Sequence, residues 1–190
     1  MIRLFVALGL PDDIRDRLAG LAGGVPGARW VEPSNLHLTL RFIGETGGDR
    51  LADLDAELAA VTAPAFELVL DGLGQFGSGR KLHTLWAGVE RSESLRQLQA
   101  RVESAVVRAG FAAEGRKFSP HVSLARLKDS APERVMRYLS GNGLFRSRPF
   151  RVDSISLYES HLGRHGPDYA VISTYPLHPP RDPPSCPSPP

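Results

Sequence analysis

The sequence predicts an α+β fold in which two related lobes of strands and helices lie within one chain. Residues 35–42 and 119–126 are near-copies of each other, and each copy holds a histidine followed two positions later by a hydroxyl residue. Around these copies, segments that alternate polar and apolar residues, as strands do, are interspersed with segments that repeat apolar residues every three or four positions, as helices do. A chain of 190 residues has the length of one ordinary domain or two small lobes.

The N-terminal half of the chain begins with a strand and a helix. Residues 1–8 form an apolar run that is too short to cross a membrane and lacks the long apolar core of a secretory signal, so they indicate a first strand. Residues 11–13, a proline and two aspartates, are typical of the first turn of a helix, which ends in the glycine-rich residues 20–27. The same rules predict the first histidine strand after Trp30 and Val31, a helix over residues 49–62 and a strand over residues 66–70.

The C-terminal half repeats this alternation of elements. A helix is predicted over residues 94–109, where Leu95, Leu98 and Val102 recur at helical spacing and Gly110 ends the helix. Each histidine strand therefore follows a helix and a turn, and duplication of one lobe is the simplest explanation. The other elements predicted in this half are a strand over residues 82–89, the second histidine strand, a short helix over residues 133–139 and strands over residues 150–158 and 169–174.

The C-terminal end of the chain differs in composition from the rest. Eight of the chain's 16 prolines lie in residues 176–190, a composition that cannot build a packed core. We therefore expect a single bilobal domain over residues 1–177 and a flexible proline-rich tail over residues 178–190. A dispensable extension explains this tail better than a proline-motif ligand, since the tail has no clear P-x-x-P motif with aromatic neighbours.

The overall composition limits the class of protein. Hydrophobic residues make up 42% and charged residues 23% of the chain, which is typical of a soluble globular protein. The formal net charge of +2 is too small to identify a nucleic-acid-binding protein from composition alone. The only cysteine, Cys186, excludes a disulfide framework and a cysteine-based zinc site, and it favours a reducing cytoplasm.

The two copied segments place polar groups on one face of each strand. Because successive side chains of a strand point to opposite faces, His37 and Thr39 emerge on one side, as do His121 and Ser123. Two imidazoles and two hydroxyls are therefore expected to meet in one cleft, while the aliphatic residues between them face the core. The two motifs are His37-Leu38-Thr39-Leu40 and His121-Val122-Ser123-Leu124.

These groups suit acid–base hydrolysis of a phosphodiester. Histidine has an ordinary pKa of about 6.5, so one imidazole can donate a proton and another can accept one near neutral pH. The hydroxyls can donate hydrogen bonds to the non-bridging phosphate oxygens. Such a reaction requires no metal ion or other cofactor. The residues alone do not decide which histidine is the acid and which is the base.

The two motifs resemble those of the two-histidine phosphoesterase superfamily, and specifically those of RNA 2′,3′-cyclic phosphodiesterases, also called 2′-5′ RNA ligases. One such motif arises often by chance, whereas two motifs in similar strands are specific. The resemblance extends in order and spacing over residues 2–177. Further segments similar to the family are residues 3–8, 30–45, 85–89, 118–127 and 157–160.

The resemblance implies two α+β lobes, each an antiparallel sheet with packed helices, that face each other across a central cleft. It implies an enzyme that needs no cofactor, hydrolyses 2′,3′-cyclic phosphate ends of RNA or of small nucleotides to 2′-phosphates, and can join RNA ends through 2′-5′ linkages. By the same resemblance His37 is the proton donor to the 3′ oxygen, His121 is the proton acceptor from water, and Thr39 and Ser123 hold the phosphate. A monomer without membrane attachment or an obligate protein partner is expected.

Three further side chains are candidates for substrate binding. Arg126 matches a family arginine associated with the phosphate, but its odd spacing from His121 turns it away unless the strand contains a bulge. Arg41 has even spacing from His37 and is expected in the cleft. Phe42 is the candidate to stack on the terminal base, as the resemblance allows, although the residues alone favour a core position for it.

Other interpretations remain open from the sequence. A cyclic phosphodiesterase for a nucleotide or ADP-ribose, and a non-catalytic module that binds RNA ends, would carry the same motifs. A metallohydrolase with His37 and His121 as ligands is disfavoured, because no acidic residue or cysteine near either motif completes a metal site. The other histidines are assigned no function: His83 is followed directly by its hydroxyl neighbour, which faces the other way, and His161, His165 and His178 are expected in a loop and in the tail.

Overall fold

The computed structural model describes residues 2–163 and 166–178. Within them the predicted helices follow in order, whereas strands over residues 28–30 and 70–76 were not predicted and two strands replace the one predicted over residues 150–158. None of the helices in this part of the chain has the length and hydropathy needed to span a membrane. The helices are α1 (Asp12–Ala19), α2 (Leu51–Ala59), α3 (Glu93–Arg108) and α4 (Pro132–Gly141). The strands are β1 (Ile2–Gly9), β2 (Ala28–Trp30), β3 (His37–Thr46), β4 (Phe66–Leu68), β5 (Leu70–Phe76), β6 (Thr84–Val89), β7 (His121–Leu127), β8 (Phe150–Val152), β9 (Ser154–Gly163) and β10 (Gly166–Pro176).

Most of the strands belong to one antiparallel sheet with two halves. Its strand order is β10-β9-β1-β3-β7-β6-β5, with β2 paired to β7 beside this path, while β4 and β8 form a separate pair. The first half contains β1, β3, β9 and β10, and the second contains β2, β5, β6 and β7. The halves meet where Leu38 of β3 pairs with Val122 of β7. The predicted α+β fold of two related antiparallel lobes is confirmed, and the lobes are joined edge to edge at this pair.

Helix α3 crosses between the lobes. α3 directly precedes β7 in the chain but packs against β3 of the other half, and Tyr175 of β10 donates a hydrogen bond of 2.6 Å to Asp55 of α2. Beside the second half, Tyr138 of α4 packs on Trp30 of β2 with 5.6 Å between ring centroids. The hydroxyl of Tyr138 also donates a hydrogen bond to the carbonyl of Leu21, which lies just beyond α1. The packing of α3 on β3 therefore connects the core of the first lobe to the chain segment that leads into the second histidine strand.

The prediction of one strand over residues 66–70 was wrong, because two strands divide there. The first three of these residues form β4, which pairs with β8, whereas β5 begins at Leu70 and pairs with β6. Strand β5 was not predicted because it contains two glycines, which are uncommon inside strands. Gly72 has a φ of +71°, a backbone shape that favours glycine. Gly74 lies opposite Trp86 of β6, and an added Cβ would overlap atoms of the indole ring.

Two histidines make backbone pairings that the sequence did not predict, one within a strand and one in an isolated bridge. His161 belongs to β9 rather than to a loop. His178, the first residue of the predicted tail, donates a backbone hydrogen bond to Ala63 and accepts one from Ala65. The other expectations for this end of the chain, for His165 and for residues 179–190, lie outside the described residues.

Gly74→Ala is expected to destabilise the protein by about 1–3 kcal/mol, because the new methyl group would overlap the indole of Trp86 and force it to move. Gly115→Ala is the matched control, since an added Cβ at Gly115 meets no atom within 4 Å. Urea unfolding followed by tryptophan fluorescence and circular dichroism measures both variants. Equal stability of the two variants would contradict the packing of Trp86 against Gly74.

Candidate active site

The pairing of β3 with β7 brings the two histidine motifs together. Because Leu38 and Val122 pair in the antiparallel sense, each histidine lies opposite the hydroxyl residue of the other motif. Residues directly opposite in such a pair share one face, with their Cβ atoms about 4.5–5.5 Å apart. Two imidazoles and two hydroxyls therefore lie on one face of the junction between the lobes. Continued by one residue on either side of the Leu38–Val122 pair, this register sets His37 against Ser123 and Thr39 against His121.

A bulge in each histidine strand decides which later side chains share this face. Leu40 is an extra residue of β3 relative to β1, and Leu124 is an extra residue of β7 relative to β6. Each bulge reverses the alternation of the residues that follow it. Phe42 and Arg126 consequently lie on the same face as the histidines of their strands. The sequence required a bulge if Arg126 was to face the cleft, and the structure contains one.

The prediction that Arg41 points into the cleft was wrong, because the bulge at Leu40 turns it towards the core side of the sheet. Its side chain is only 8% exposed, and its Nε lies 2.6 Å from a carboxylate oxygen of Glu103 on α3. Its guanidinium also donates hydrogen bonds to the carbonyls of Phe42 and Ala112, the latter at 2.5 Å. These contacts hold the Arg41 guanidinium against protein groups and link β3 to α3 and to the loop before β7.

His37 is half-buried in an aromatic pocket. Its Nδ1 lies 2.7 Å from the carbonyl oxygen of Asn35, and since a carbonyl can only accept a hydrogen bond, Nδ1 carries a proton. Its Nε2 lies 3.1 Å from Oγ1 of Thr39. Nε2 is therefore the atom that can exchange a proton with a ligand. The rings of Phe5, Tyr158 and Tyr169 surround the imidazole, at centroid distances of 4.8, 6.0 and 5.1 Å.

His121 is oriented in the same way at a more exposed position. Its Nδ1 lies 2.8 Å from the carbonyl oxygen of Ser119, which again leaves Nε2 free for a ligand. The imidazole meets the ring of Phe76 edge to face, with 4.8 Å between centroids, and lies 6.4 Å from the ring of Trp86. Both histidines are thus held by a backbone carbonyl on one side and by aromatic rings on another.

Burial lowers the pKa of His37 below its ordinary value of 6.5. The surrounding rings exclude water and disfavour the imidazolium, whereas the hydrogen bond to Asn35 favours it and offsets part of this effect. The charge of His121 lowers the pKa of His37 further, so the two imidazoles lie within electrostatic reach of each other. Without a ligand, His37 is therefore neutral at neutral pH and, when protonated, is a stronger acid than a free imidazole.

A cavity of about 520 Å³ opens beside the two motifs. Thr39 and His121 form part of its wall, together with the rings of Phe42 and Phe76. Its volume falls in the range of about 300–1,000 Å³ found for small-molecule sites. His83, which was assigned no function from the sequence, also lies on the cavity wall. The rest of the lining consists of Leu40, Arg41, Gly77, Gln99, Glu114 and residues 116–119.

Sequence reasoning missed the aromatic side chains that surround the histidines. Phe5 had a local signal, since it alternates with Leu4 and Val6 of β1 and so points away from the core that they enter. Tyr169 and Phe76 had none, because β10 and β5 carry no motif and their positions beside the histidines depend on strand pairing. The aromatic pockets are thus a product of the sheet order.

The fold and the site define a class of protein, a bilobal phosphoesterase with one histidine motif in each lobe. In the part of the chain that the structure describes, no group of three or more His, Cys, Asp or Glu side chains is placed to hold a metal ion. A family model of the 2′-5′ RNA ligase superfamily matches residues 10–164. The chain belongs to this superfamily, in agreement with the resemblance of its two motifs.

Similar proteins cover almost the whole chain. The RNA 2′,3′-cyclic phosphodiesterase of Archaeoglobus fulgidus is 34% identical over 92% of this chain and 99% of its own. The RNA 2′,3′-cyclic phosphodiesterase of Aeropyrum pernix is 35% identical over 84% of this chain and 90% of its own. The crystal structure of E. coli LigT complexed with 3′-AMP is 28% identical, has a TM-score of 0.76, and covers 93% of this chain and 98% of its own.

Tyr169→Ala is expected to raise the pKa of His37 towards its ordinary value of 6.5, because it removes a ring that shields the imidazole from water. Titration of the histidine Cε1–H resonances by NMR measures this change. Phe76→Ala removes a ring from His121 instead and serves as the control, with the pKa of His37 expected to stay at its wild-type value. A pKa of His37 that does not move in Tyr169→Ala would show that burial is not its cause.

Proposed function

We propose that the protein hydrolyses 2′,3′-cyclic phosphate ends of RNA to 2′-phosphate ends by metal-independent acid–base catalysis. The observation that supports this most strongly is the placement of two imidazoles on one face of the β3–β7 junction, each with Nδ1 held by a backbone carbonyl. Nε2 of His37 contacts the hydroxyl of Thr39, and Nε2 of His121 is left for a ligand. The similarity to proteins named RNA 2′,3′-cyclic phosphodiesterase, over nearly the full length of both chains, supports the same reaction.

His37 is the general acid in this proposal. As water attacks phosphorus, the bond to the 3′ oxygen breaks and this oxygen takes the proton from Nε2 of His37. The lowered pKa of His37 makes its proton easier to release. A bound phosphate anion favours the imidazolium, so substrate binding itself protonates His37 before the bond breaks. The hydroxyl of Thr39, 3.1 Å from Nε2, orients the imidazole towards the phosphate.

His121 is the general base. Its free Nε2 accepts a proton from the attacking water on the side of phosphorus opposite the leaving oxygen, which requires two imidazoles on different strands. Its Nδ1–H bond to the carbonyl of Ser119 keeps the lone pair on Nε2. If the 5′-hydroxyl of a second RNA replaces water, the same two proton transfers would give a 2′-5′ linkage, so the proposal extends to ligation by the same site.

Neutral and cationic donors bind the non-bridging phosphate oxygens. Thr39 and Ser123 supply hydroxyls from opposite strands, and Arg126 supplies a guanidinium on the same face. Burial raises the pKa of the Tyr169 phenol, and the positive charge of Arg126 opposes that rise, so Arg126 acts across the cleft on the first lobe. An arginine in this position stabilises the charge that grows on the phosphate as water adds.

The terminal base stacks on Phe42 in this proposal. The ring is 56% exposed, lies on the histidine face of β3 and forms part of the cavity wall. An exposed phenylalanine beside a catalytic site is more useful for stacking than for stability. RNA ends are the proposed substrate, and small nucleotides or ADP-ribose that carry a cyclic phosphate are the alternative, since the two motifs contact only the phosphate.

We also propose that the enzyme works as a cytoplasmic monomer without a membrane anchor or an obligate protein partner. Every candidate catalytic residue comes from this one chain, so the site is complete without a second copy. The single cysteine of the chain fits a reducing compartment.

A short RNA that ends in 2′,3′-cyclic phosphate is expected to be converted to the 2′-phosphate by purified protein in excess chelator. Phosphorus NMR distinguishes the 2′-phosphate from the 3′-phosphate and from the cyclic ester. A 3′-phosphate product would contradict the assigned leaving oxygen. Loss of activity in chelator would contradict metal independence, and tight binding without conversion would indicate the non-catalytic module.

His37→Ala and His121→Ala are each expected to lower kcat by about 10²–10⁴-fold without unfolding the protein, since each removes one proton transfer. A substrate with sulfur at the bridging 3′ position separates their roles, because a thiolate leaves without a proton. His37→Ala is expected to regain most of its activity on this substrate, whereas His121→Ala is not. Circular dichroism and urea unfolding provide the control for folding.

The pH dependence of kcat/KM provides a second readout of the same two roles. Wild-type protein is expected to give a bell-shaped profile, in which the rate falls at low pH as the base is protonated and at high pH as the acid loses its proton. With the 3′-sulfur substrate, the fall at high pH should disappear in His37→Ala. Rescue of His121→Ala instead would reverse the assignment of acid and base.

A further inference from the structure

We propose that Lys117 binds the phosphate on the 5′ side of the nucleoside whose cyclic phosphate is hydrolysed, in a subsite on the wall of the cavity beside the two histidines. This inference rests on the proposed function, because it takes the cyclic phosphate to lie between His37 and His121. Lys117 lies outside both motifs, so the subsite is separate from the catalytic groups.

The cavity has the position and size for one nucleoside between the catalytic groups and Lys117. Thr39 and His121 lie at its wall, and so does Lys117, within a volume of about 520 Å³. Phe42 and Phe76 supply apolar surface for the base. In a nucleotide the 5′ oxygen and the 2′,3′ edge lie on different sides of the ribose. In this proposal the cyclic phosphate lies at His121 and the 5′ oxygen points along the cavity wall towards Lys117.

The loop that carries Lys117 is held in place by the other lobe. Arg41 of β3 donates a hydrogen bond of 2.5 Å to the carbonyl of Ala112 and pairs with Glu103 at 2.6 Å. Glu103 in turn accepts a hydrogen bond of 2.8 Å from the backbone N–H of Glu114. These contacts fix the loop against both β3 and α3. The backbone of residues 112–114 is thus held before a ligand binds, which reduces the entropy lost on ordering this loop.

The charges of this loop leave Lys117 as its available cation. Arg116 donates hydrogen bonds from Nε and Nη2 to the two carboxylate oxygens of Glu114, both at 3.1 Å. These bonds hold the pKa of Glu114 at about 2, so Glu114 stays ionised and its charge offsets that of Arg116. Among the described residues no carboxylate lies within 4.0 Å of the Lys117 ammonium. An ammonium is a compact point charge with three donors, which suits a phosphate oxygen.

The group that the subsite binds is a phosphate ester on a 5′ oxygen. The last internal phosphodiester of an RNA, the 5′-phosphate of a nucleotide and the pyrophosphate of ADP-ribose all present this group. The structure therefore predicts a preference for a nucleoside cyclic phosphate that bears a 5′-phosphate over one that bears a 5′-hydroxyl. The length of the chain beyond this phosphate then separates RNA from the smaller substrates.

The experiment compares kcat/KM for adenosine 2′,3′-cyclic phosphate with a 5′-hydroxyl and with a 5′-phosphate in the full-length protein. Wild-type protein is expected to prefer the 5′-phosphate about tenfold, mainly through KM, and the ratio is expected to fall to about one in Lys117→Gln. Lys117→Arg keeps the charge and should keep most of the preference. Lys128→Gln is the matched control, since Lys128 follows the opposite end of β7 and should leave the ratio at its wild-type value.

Binding of the reaction products tests the subsite without turnover. Calorimetry should show that wild-type protein binds adenosine 2′,5′-bisphosphate about tenfold more tightly than adenosine 2′-phosphate. In Lys117→Gln the two affinities should be about equal. Hydrolysis of both substrates with equal kcat/KM, or a preference that survives in Lys117→Gln, would overturn the subsite while leaving the proposed function intact. A binding preference without hydrolysis would support the subsite and overturn the proposed function.

Substrates with a longer 5′ extension identify the source of the phosphate. A dinucleotide that ends in cyclic phosphate represents RNA, and ADP-ribose cyclic phosphate represents the small nucleotides. If kcat/KM is higher for the dinucleotide than for the 5′-hydroxyl substrate, and Lys117→Gln removes the difference, the site recognises RNA ends. If only ADP-ribose cyclic phosphate shows this difference, the site recognises a nucleotide substrate. The subsite would be overturned if Lys117→Gln lowered neither kcat/KM for any 5′-phosphorylated substrate nor the affinity for any 5′-phosphorylated product.

Discussion

The pairing of Leu38 with Val122 is the contact on which the rest of this structure depends. Both side chains are fully buried, and they join the two halves of the sheet. Because side chains alternate along a strand, a shift of one residue at this pair would move one motif to the opposite face of the sheet. Burial of two aliphatic side chains thus fixes the relative position of the polar residues beside them, which is how an apolar core determines a site for acid–base chemistry.

The histidine strands of the two lobes share one backbone geometry but carry different side chains. The first six residues of β3 and β7 have the same order of buried and exposed side chains, and each strand has a bulge at the same position. The side chains at equivalent positions differ, with Phe42 in one lobe and Arg126 in the other. Burial also differs, since the pKa of His37 is lowered by the rings around it. A duplicated scaffold therefore offers one desolvated and one more exposed histidine to the same ligand.

The lobes are connected by more than their shared sheet. α3 crosses from the second motif to the first lobe, where Glu103 meets Arg41. Arg41 in turn holds the loop that precedes the second motif through the carbonyl of Ala112. This chain of contacts links β3 to the cavity wall that carries Lys117. The bulge at Leu40 is the reason that an arginine with the spacing of a cleft residue serves instead to join the lobes.

The sequence by itself determined the two motifs, the α+β class and the order of the helices and of most strands, because strand and helix periodicity are local properties of the chain. It also indicated that Arg126 would need a bulge to face the cleft. Only the tertiary structure decided where the bulges lie, which way Arg41 turns and which rings enclose His37. Those features depend on the register between strands far apart in the chain, and one extra residue in a strand reverses every direction inferred from spacing.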